Sequence, residues 1–345
     1  MYRLFRIAIV FFFIVSGSYA NVMRVVYFTP ANVPGPTVED ISAVRNVMIE
    51  SQKFYRDEMK RHGYDAKTFD LETDANGRVM IHAFRGKQNL STYSNLGMID
   101  VELPMVFRKT RKNPHNMRVI FLAGAHEIGT GAINFSECVG DMCDYTAYIP
   151  TENIAIELFT AHELGHSFQL QHNESIPNSN KAFLMKRTLT IHKNQPPKLV
   201  DFELDDYETD WLDKHKHFSQ GRFGNVSMDI GKHNILIDGG SSVVLLIELS
   251  GIVELHQAQI FRPSDGRVLG WDKICGIEDT AILSVLRVYL SEPTLNLQII
   301  DIEGNTSRSA LTINLPEIPD PFAFKNEDNG TVTIPWSSLK VQYAK

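Results

Sequence analysis

Residues 151–172 read TENIAIELFTAHELGHSFQLQH, and no other stretch of the chain carries as much chemical information. Within it, His162, Glu163 and His166 form the pattern H-E-x-x-H. On a helix, residues four apart lie on one face about one turn apart, so the two imidazoles can bind the same metal ion. Glu163 projects beside that pair, where a carboxylate can act on water without binding the ion itself. The spacing therefore predicts a helix that carries a water-activating metal site.

A third imidazole follows at His172, ten residues after His162. Three neutral nitrogen ligands would leave the fourth tetrahedral position of a zinc ion open, as catalytic zinc sites require. With this histidine the pattern resembles the metzincin zinc peptidases, whose motif H-E-x-x-H-x-x-G-x-x-H is followed by a methionine turn. The resemblance implies one catalytic Zn²⁺ bound by His162, His166 and His172. It also implies that Glu163 is the general base and that Met185, in the segment AFLMKR, is the turn methionine.

One position departs from the metzincin motif, because Gln169 stands where the family has glycine. The glycine lets the backbone turn sharply toward the metal, and a non-glycine residue at positive φ costs about 1 kcal/mol. Zinc binding, with an apparent free energy of about 10 kcal/mol or more, can offset that cost. We therefore retain His172 as the third ligand, with Glu174 or Asp206 as alternatives if its side chain points elsewhere.

The first twenty residues are predicted to be a secretory signal peptide that ends at Ala20. Arg3 and Arg6 give a positive start, residues 7–15 are apolar without a break, and Ser18-Tyr19-Ala20 is a small-x-small cleavage site. The apolar run is too short to cross a bilayer comfortably. We therefore expect a secreted, extracellular protein, with the periplasm or the cell surface as further locations and no membrane span after cleavage.

Composition excludes several classes of protein. The 345 residues are 43% hydrophobic, which is typical of a globular protein with room for two domains. Lys and Arg total 34 against 41 for Asp and Glu, and no basic cluster is present, so nucleic acid is not an expected partner. In an exported chain, Cys138 and Cys143 are close enough to form a disulfide, which leaves Cys275 over.

The segment before the motif is predicted to fold as an α/β domain. A strand at residues 23–28 precedes a long amphipathic helix whose capping box is Thr37 with Asp40, and residues 117–123 read as a central strand. This order is similar to the upper subdomain of metzincins, a mixed twisted sheet in which the last strand before the active-site helix is an edge that binds extended substrate. The candidate edge segments are 146–149 and 132–135.

An acidic helix is predicted from Asp201 to His217. Its carboxylates lack the glycine-punctuated spacing of a calcium loop, so we interpret them as a solvated helical face. His215 lies beyond the acidic part of this helix. Because His215 and His217 lack the spacing of metal ligands on a helix, both are expected at the surface.

From residue 219 onward the pattern contains strands only. Residues 243–249 are continuously apolar, whereas residues 295–299 and 311–315 alternate apolar and polar side chains. Short strands separated by turns, as at residues 264–266, favour a sandwich of immunoglobulin-like or fibronectin-like type.

The sequence therefore predicts four parts: a signal peptide (1–20), a metzincin-like zinc peptidase domain (21–218), a β-sandwich accessory domain (219–316) and a C-terminal segment (317–345). The implied reaction is hydrolysis of peptide bonds in a protein or peptide substrate bound in extended form. Two alternatives stay open. One is an exported adhesion or binding protein with a degenerate zinc site, and the other is a metallohydrolase that acts on a non-peptide amide or ester.

Overall fold

The computed structural model describes residues 22–104, 107, 115–125, 133–139, 142–151, 156–173, 181–186, 198–219, 228–238, 242–286, 294–312 and 342–343. The predicted signal peptide and Glu174 lie outside these residues. Only the backbone is described for Cys138 and Cys143, which are cross-strand partners in an antiparallel pair. The disulfide between them stays a prediction.

The N-terminal region is built on a six-stranded sheet in the order β2-β1-β4-β6-β5, with β3 also paired to β1. Its strands are β1 (Val22–Thr29), β2 (Asp70–Leu71), β3 (Ile81–Arg85), β4 (His115–Leu122), β5 (Ile133–Val139) and β6 (Met142–Pro150). All pairings are parallel except that of β5 with β6, so the sheet is mixed, as predicted. Two separate apolar clusters take alternate residues of β4, with Val119 in one and Ile120 in the other, which explains why a central strand reads as an unbroken apolar run.

Strand β5 forms an edge of this sheet, since among the described strands it pairs with β6 alone. The predicted edge segment 132–135 overlaps β5. The other candidate, 146–149, is wrong, because these residues lie in β6, which is enclosed between β4 and β5. The chain thus forms β5 at the edge of the sheet first and β6 inside the sheet second. The sequence pattern alone does not reveal this order.

A long helix, α1 (Val38–Arg61), packs on this sheet and begins at the predicted capping box. The Asp40 N–H donates to Thr37 Oγ1 at 3.1 Å, and the Thr37 N–H donates to Asp40 Oδ2 at 2.7 Å. Further along, the fully buried Tyr55 donates its hydroxyl proton to the Ala161 carbonyl at 2.8 Å. This bond ties α1 to the helix that carries the H-E-x-x-H pattern.

That motif helix, α3 (Ile156–Ser167), is buried on most of its surface. Leu158, Ala161 and Leu164 belong to the main apolar cluster. A helix that is apolar on most sides is held by tertiary packing rather than by one amphipathic face. The N-terminal region also contains α2 (Gly97–Glu102), β7 (Ala182–Phe183), β8 (Phe202–Glu203), α4 (Asp206–Lys214) and α5 (Lys216–Ser219). None of the described helices has the length and apolar character needed to cross a membrane.

The prediction of a solvated acidic helix is wrong. Asp210 in α4, His215 between the two helices and His217 in α5 are all less than 5% exposed. Buried carboxylates require partners, and Asp210 has them: Tyr64 donates to it at 2.9 Å, and Lys273 Nζ lies 2.5 Å from it. The partners come from distant parts of the chain, so the spacing of acids within the helix could not indicate them.

Among the described residues of the C-terminal region, the regular elements are all strands, as predicted. They are β9 (Met228–Asp238), β10 (Ser242–Phe261), β11 (Val268–Leu286), β12 (Thr294–Asp301), β13 (Thr306–Thr312) and β14 (Gln342–Tyr343). One edge of β10 pairs with β9 along its first half and with β12 along its second half, with β11 on the other edge. All described strands of this region therefore belong to one hydrogen-bonded network, and the two-sheet sandwich stays a prediction.

The C-terminal sheet contacts the N-terminal region directly. Gln257 on β10 donates its side-chain N–H to the Tyr207 carbonyl at 3.1 Å, and Lys216 Nζ bonds to Asn305 Oδ1. Ile300 on β12 belongs to the main apolar cluster of the N-terminal region. The predicted division at residue 218 thus marks a change of secondary structure across which packing continues, and the domain boundaries stay a prediction.

Candidate metal centre

Three imidazoles meet at the end of the motif helix. His162 and His166 lie one turn apart on α3, and His172 reaches the same point after the chain has turned back. One ring nitrogen from each of the three lies within 4.8 Å of the others. The structure therefore brings together the three residues that the metzincin resemblance implies as ligands.

Backbone carbonyls fix which nitrogen of each ring faces the centre. Nδ1 of His162 lies 2.8 Å from the Leu184 carbonyl oxygen, and Nδ1 of His166 lies 2.8 Å from that of Leu170. Nδ1 of His172 lies 2.7 Å from the Asp265 carbonyl oxygen. A carbonyl oxygen only accepts, so each Nδ1 carries the proton and each Nε2 presents a lone pair. Donation from the second ring nitrogen to a carbonyl is the usual way in which proteins orient a metal-binding imidazole.

The distance between two of these lone-pair nitrogens tests the fit to a metal. Nε2 of His166 lies 3.1 Å from Nε2 of His172. Two unprotonated nitrogens at this distance repel each other unless a cation lies against both. In a tetrahedral zinc site with Zn–N bonds of about 2.0–2.1 Å, two nitrogen ligands are about 3.3 Å apart. The donor set and its spacing therefore fit a zinc ion.

Burial keeps two of the rings in the neutral form that metal binding needs. Desolvation lowers the pKa of His162 to about 4, partly offset by its bond to the Leu184 carbonyl. Desolvation likewise lowers the pKa of His166 well below its usual value, with the neighbouring His162 and His172 as further causes. Neutral imidazoles are metal ligands and imidazolium ions are not, so the site is prepared for a cation at neutral pH.

Glu163 follows His162 on the helix and is 7% exposed. Burial raises the pKa of this carboxyl to about 7. It is not a member of the three-histidine cluster, and its role as general base stays a prediction. A carboxylate whose pKa lies near the working pH is suited to accept a proton and then give it back.

The backbone at Gln169 adopts the conformation that the sequence pattern requires. Its φ is 65°, and it is the one non-glycine residue with positive φ in the described part of the chain. Its side chain compensates, because Gln169 Oε1 accepts a hydrogen bond from Gln298 Nε2 of β12 at 3.2 Å. Gln169 thus makes the turn for which the metzincin motif uses glycine, and it also contacts the C-terminal sheet.

Of the two alternative third ligands, Glu174 lies outside the described residues and Asp206 does not take the place of His172. Asp206 lies at the exposed start of α4, where its Oδ1 is 2.7 Å from His62 Nδ1. It is absent from the metal-binding group found among the described residues.

Met185 lies directly beneath the motif helix and is fully buried. A Cβ atom added to Gly165 would overlap its sulfur atom and would lie 3.0 Å from the Tyr55 hydroxyl. The adjoining Leu184 supplies the carbonyl that orients His162. The segment around Met185 therefore supports the helix between the two ligands, and its role as a methionine turn stays a prediction.

We expect Gly165→Ala to destabilise the fold by about 1–3 kcal/mol, the usual cost of overpacking a core, because the added methyl group has to displace Met185. Urea unfolding of the metal-free protein measures this change. Gly35 is exposed, and a Cβ there meets nothing closer than 3.9 Å, so Gly35→Ala is the matched control. Equal stability of the two variants would contradict the close packing of Met185 on the helix.

The sequence patterns did not identify the residues that support the metal centre from outside the three-histidine cluster. Asp265 orients His172 through its carbonyl, and Asn173 donates its side-chain N–H to Asp205 Oδ2 at 3.0 Å. Trp211 donates its ring N–H to the Phe168 carbonyl at 3.1 Å, close to the C-terminal end of α3. The only available signal was the turn at residues 264–266, which predicts a change of direction but not what the turn contacts.

Comparison with known proteins shows a shared fold. No family model matches the chain, and no curated protein sequence matches it. Among solved structures, OgpA from Akkermansia muciniphila is similar at 17% identity with a TM-score of 0.60, over 94% of this chain and 95% of that chain. Catalytically inactive OgpA in complex with an O-glycopeptide (glycodrosocin) substrate is similar at 17% identity with a TM-score of 0.56, over 85% and 92%. The likeness extends over both the N-terminal and the C-terminal regions.

Proposed function

We propose that this chain is a zinc-dependent peptidase. The observation that carries the proposal is the convergence of three Nε2 atoms, each with its Nδ1 bonded to a backbone carbonyl, beside a buried glutamate on the same helix. His162, His166 and His172 would hold the zinc ion. A structural zinc site closes all four positions with protein ligands, whereas three ligands leave one position for substrate or water.

Zinc in such a site acts as a Lewis acid toward a carbonyl oxygen and lowers the pKa of water to about 7. The protein supplies the proton transfers through Glu163. This carboxylate takes a proton from the attacking water and delivers it to the nitrogen of the leaving amine. Its burial excludes bulk water, and this strengthens its interaction with a nearby positive charge.

We place the substrate along β5, the edge strand that precedes the motif helix. An extended peptide can add to a sheet edge through main-chain hydrogen bonds. Strand β5 is seven residues long, and about every second residue directs its N–H and C=O groups to the open edge. The O-glycopeptide bound by OgpA, which shares the fold, makes O-glycosylated peptides the first substrate class to test for this chain.

The proposal includes export. Its support is the sequence of residues 1–20, with a basic start, an apolar stretch and a small-x-small cleavage site. A peptidase outside the cell would meet protein substrates, glycosylated ones included.

The test measures zinc content and peptide cleavage together. We expect one zinc ion per chain and cleavage of a peptide library in which plain and O-glycosylated members are scored separately. Chelation should abolish turnover, and added zinc should restore it. Stoichiometric zinc without cleavage of either class would favour a binding protein, and turnover of esters or non-peptide amides alone would favour the other alternative.

A further inference from the structure

The third ligand differs from the other two in what holds it. His162 and His166 lie on a helix of the N-terminal region, and their carbonyl partners, Leu184 and Leu170, belong to that region. His172 instead forms a parallel bridge with Arg267, at the end of the turn between β10 and β11. Its place in the metal centre is therefore set largely by the C-terminal sheet.

Three hydrogen bonds join His172 to this turn. The His172 N–H donates to the Gly266 carbonyl at 3.0 Å, and the Val268 N–H donates to the His172 carbonyl at 3.0 Å. The ring Nδ1–H donates to the Asp265 carbonyl at 2.7 Å. Main chain and ring are thus fixed by Asp265 and Gly266 of the turn and by Val268 directly after it, so a shift of the turn moves the imidazole with it.

The turn is braced internally by an ion pair. Arg262 Nε donates to Asp265 Oδ1 at 2.9 Å, and the same oxygen accepts from the Arg267 N–H at 3.2 Å. The side chains of Arg262 and Asp265 are 17% and 8% exposed, so water screens this pair less than a surface pair. Gly266 has a φ of 66°, a conformation that glycine adopts without strain.

A second contact ties the ligand-bearing segment to the same sheet. Gln298 on β12 donates to Gln169 Oε1 at 3.2 Å and accepts from Gln171 Nε2 at 3.3 Å. Gln169 and Gln171 are therefore anchored to β12, while the next residue, His172, is anchored to the β10–β11 turn.

We propose that the turn Arg262–Arg267 is a positioning element of the metal centre, in which the hydrogen bonds that Asp265 Oδ1 accepts from Arg262 and Arg267 set the orientation of the third ligand. This inference rests on the proposed zinc site. It implies that the C-terminal sheet helps to position a ligand of the metal centre, whereas the sequence pattern suggests an accessory domain. Asp265 and Arg262 act through His172 and do not contact the ion.

The test is the zinc affinity of full-length Asp265→Ala, measured by competition with a chromogenic chelator. Alanine keeps the carbonyl that accepts from His172 but removes the carboxylate that fixes the turn, so we expect a loss of up to about 10–100-fold, the usual effect of losing an outer partner of a metal-binding imidazole. Asp265→Asn keeps an oxygen that can accept from Arg267 and should retain most of the affinity. The visible absorption of the Co²⁺-substituted protein should change in Asp265→Ala and not in Asp265→Asn.

The N-terminal region offers a matched control in the turn at Asp74 and Arg78. There Arg78 Nε donates to Asp74 Oδ2 at 2.9 Å, and Asp74 Oδ1 accepts from the Arg78 N–H at 3.0 Å, with no contact to the site. Asp74→Ala should leave zinc affinity unchanged. Thermal unfolding of the metal-free variants separates loss of fold from loss of orientation.

Wild-type zinc affinity and an unaltered Co²⁺ spectrum in folded Asp265→Ala would overturn the inference and leave the proposed peptidase intact. Weakened zinc binding in Asp265→Ala, together with a zinc-loaded wild type that cleaves no peptide, would uphold the inference and overturn the proposed function.

Discussion

A Glu163→Gln variant is expected to lose about 10²–10⁴-fold in kcat/KM, the usual contribution of a general base. The amide has nearly the volume of the carboxylate, so it fits the same buried position, but it cannot accept the proton from water. The zinc content should stay at the wild-type level, because Glu163 is not a member of the three-histidine cluster. Steady-state kinetics and metal analysis on the same preparation measure both quantities.

The control for this variant is Glu157→Gln, an exposed glutamate in the first turn of the same helix. It removes one negative charge from α3 without changing the site, so its kcat/KM should equal that of the wild type. A Glu163→Gln enzyme as fast as the wild type would show that the base is another group. Loss of zinc from Glu163→Gln would show that this residue is a metal ligand and not the general base.

The parts of the molecule that the sequence predicts best are those with local signals. The H-E-x-x-H spacing needs only the geometry of one helix, and the structure places His162 and His166 on such a helix. The capping box at Thr37 and Asp40 depends on residues three apart, and both of its hydrogen bonds are present. In each case the partners are a few residues apart, so the pattern contains nearly all of the relevant physics.

The support of the third ligand has no local signal. His172 and Asp265 are 93 positions apart, and their contact depends on how the C-terminal sheet packs against α4 and the motif segment. The departure at Gln169 has the same origin. The metzincin motif has a glycine here because glycine adopts positive φ without strain. This chain has Gln169, whose side chain bonds to Gln298, 129 positions away.

The prediction of a solvated acidic helix is wrong for a related reason. Acids within a short segment usually lie in water, because burial of a charge is costly unless a partner is close. Here Asp213 pairs with Lys67 at 2.6 Å, and Asp210 pairs with Lys273 at 2.5 Å. Lys67 lies far before α4 in the sequence, and Lys273 lies far after it. Charge pairing across the fold therefore places acids with a pattern typical of the surface in contacts of α4 with β11 and with the segment before β2.

Replacement of the third ligand should have the largest effect on metal binding. We expect His172→Ala to lower zinc affinity by more than the about 10–100-fold that removal of an outer partner costs, since one of three nitrogen donors is lost. The His172 main-chain bonds to Gly266 and Val268 do not involve the side chain, so the metal-free protein should keep its fold. Chelator competition and thermal unfolding measure the two effects separately, and His82→Ala, on β3, is the control for loss of an imidazole.

The same variant decides how Asp265 acts, because effects transmitted through one residue do not add. If Asp265 works only by orienting the His172 ring, then Asp265→Ala should weaken zinc binding in the wild type and have no further effect in the His172→Ala background. Additive losses would mean that Asp265 influences the site by another route, such as its charge. A His172→Ala protein with wild-type zinc affinity would remove the third ligand from the proposed centre, and two imidazoles alone would then have to hold the ion.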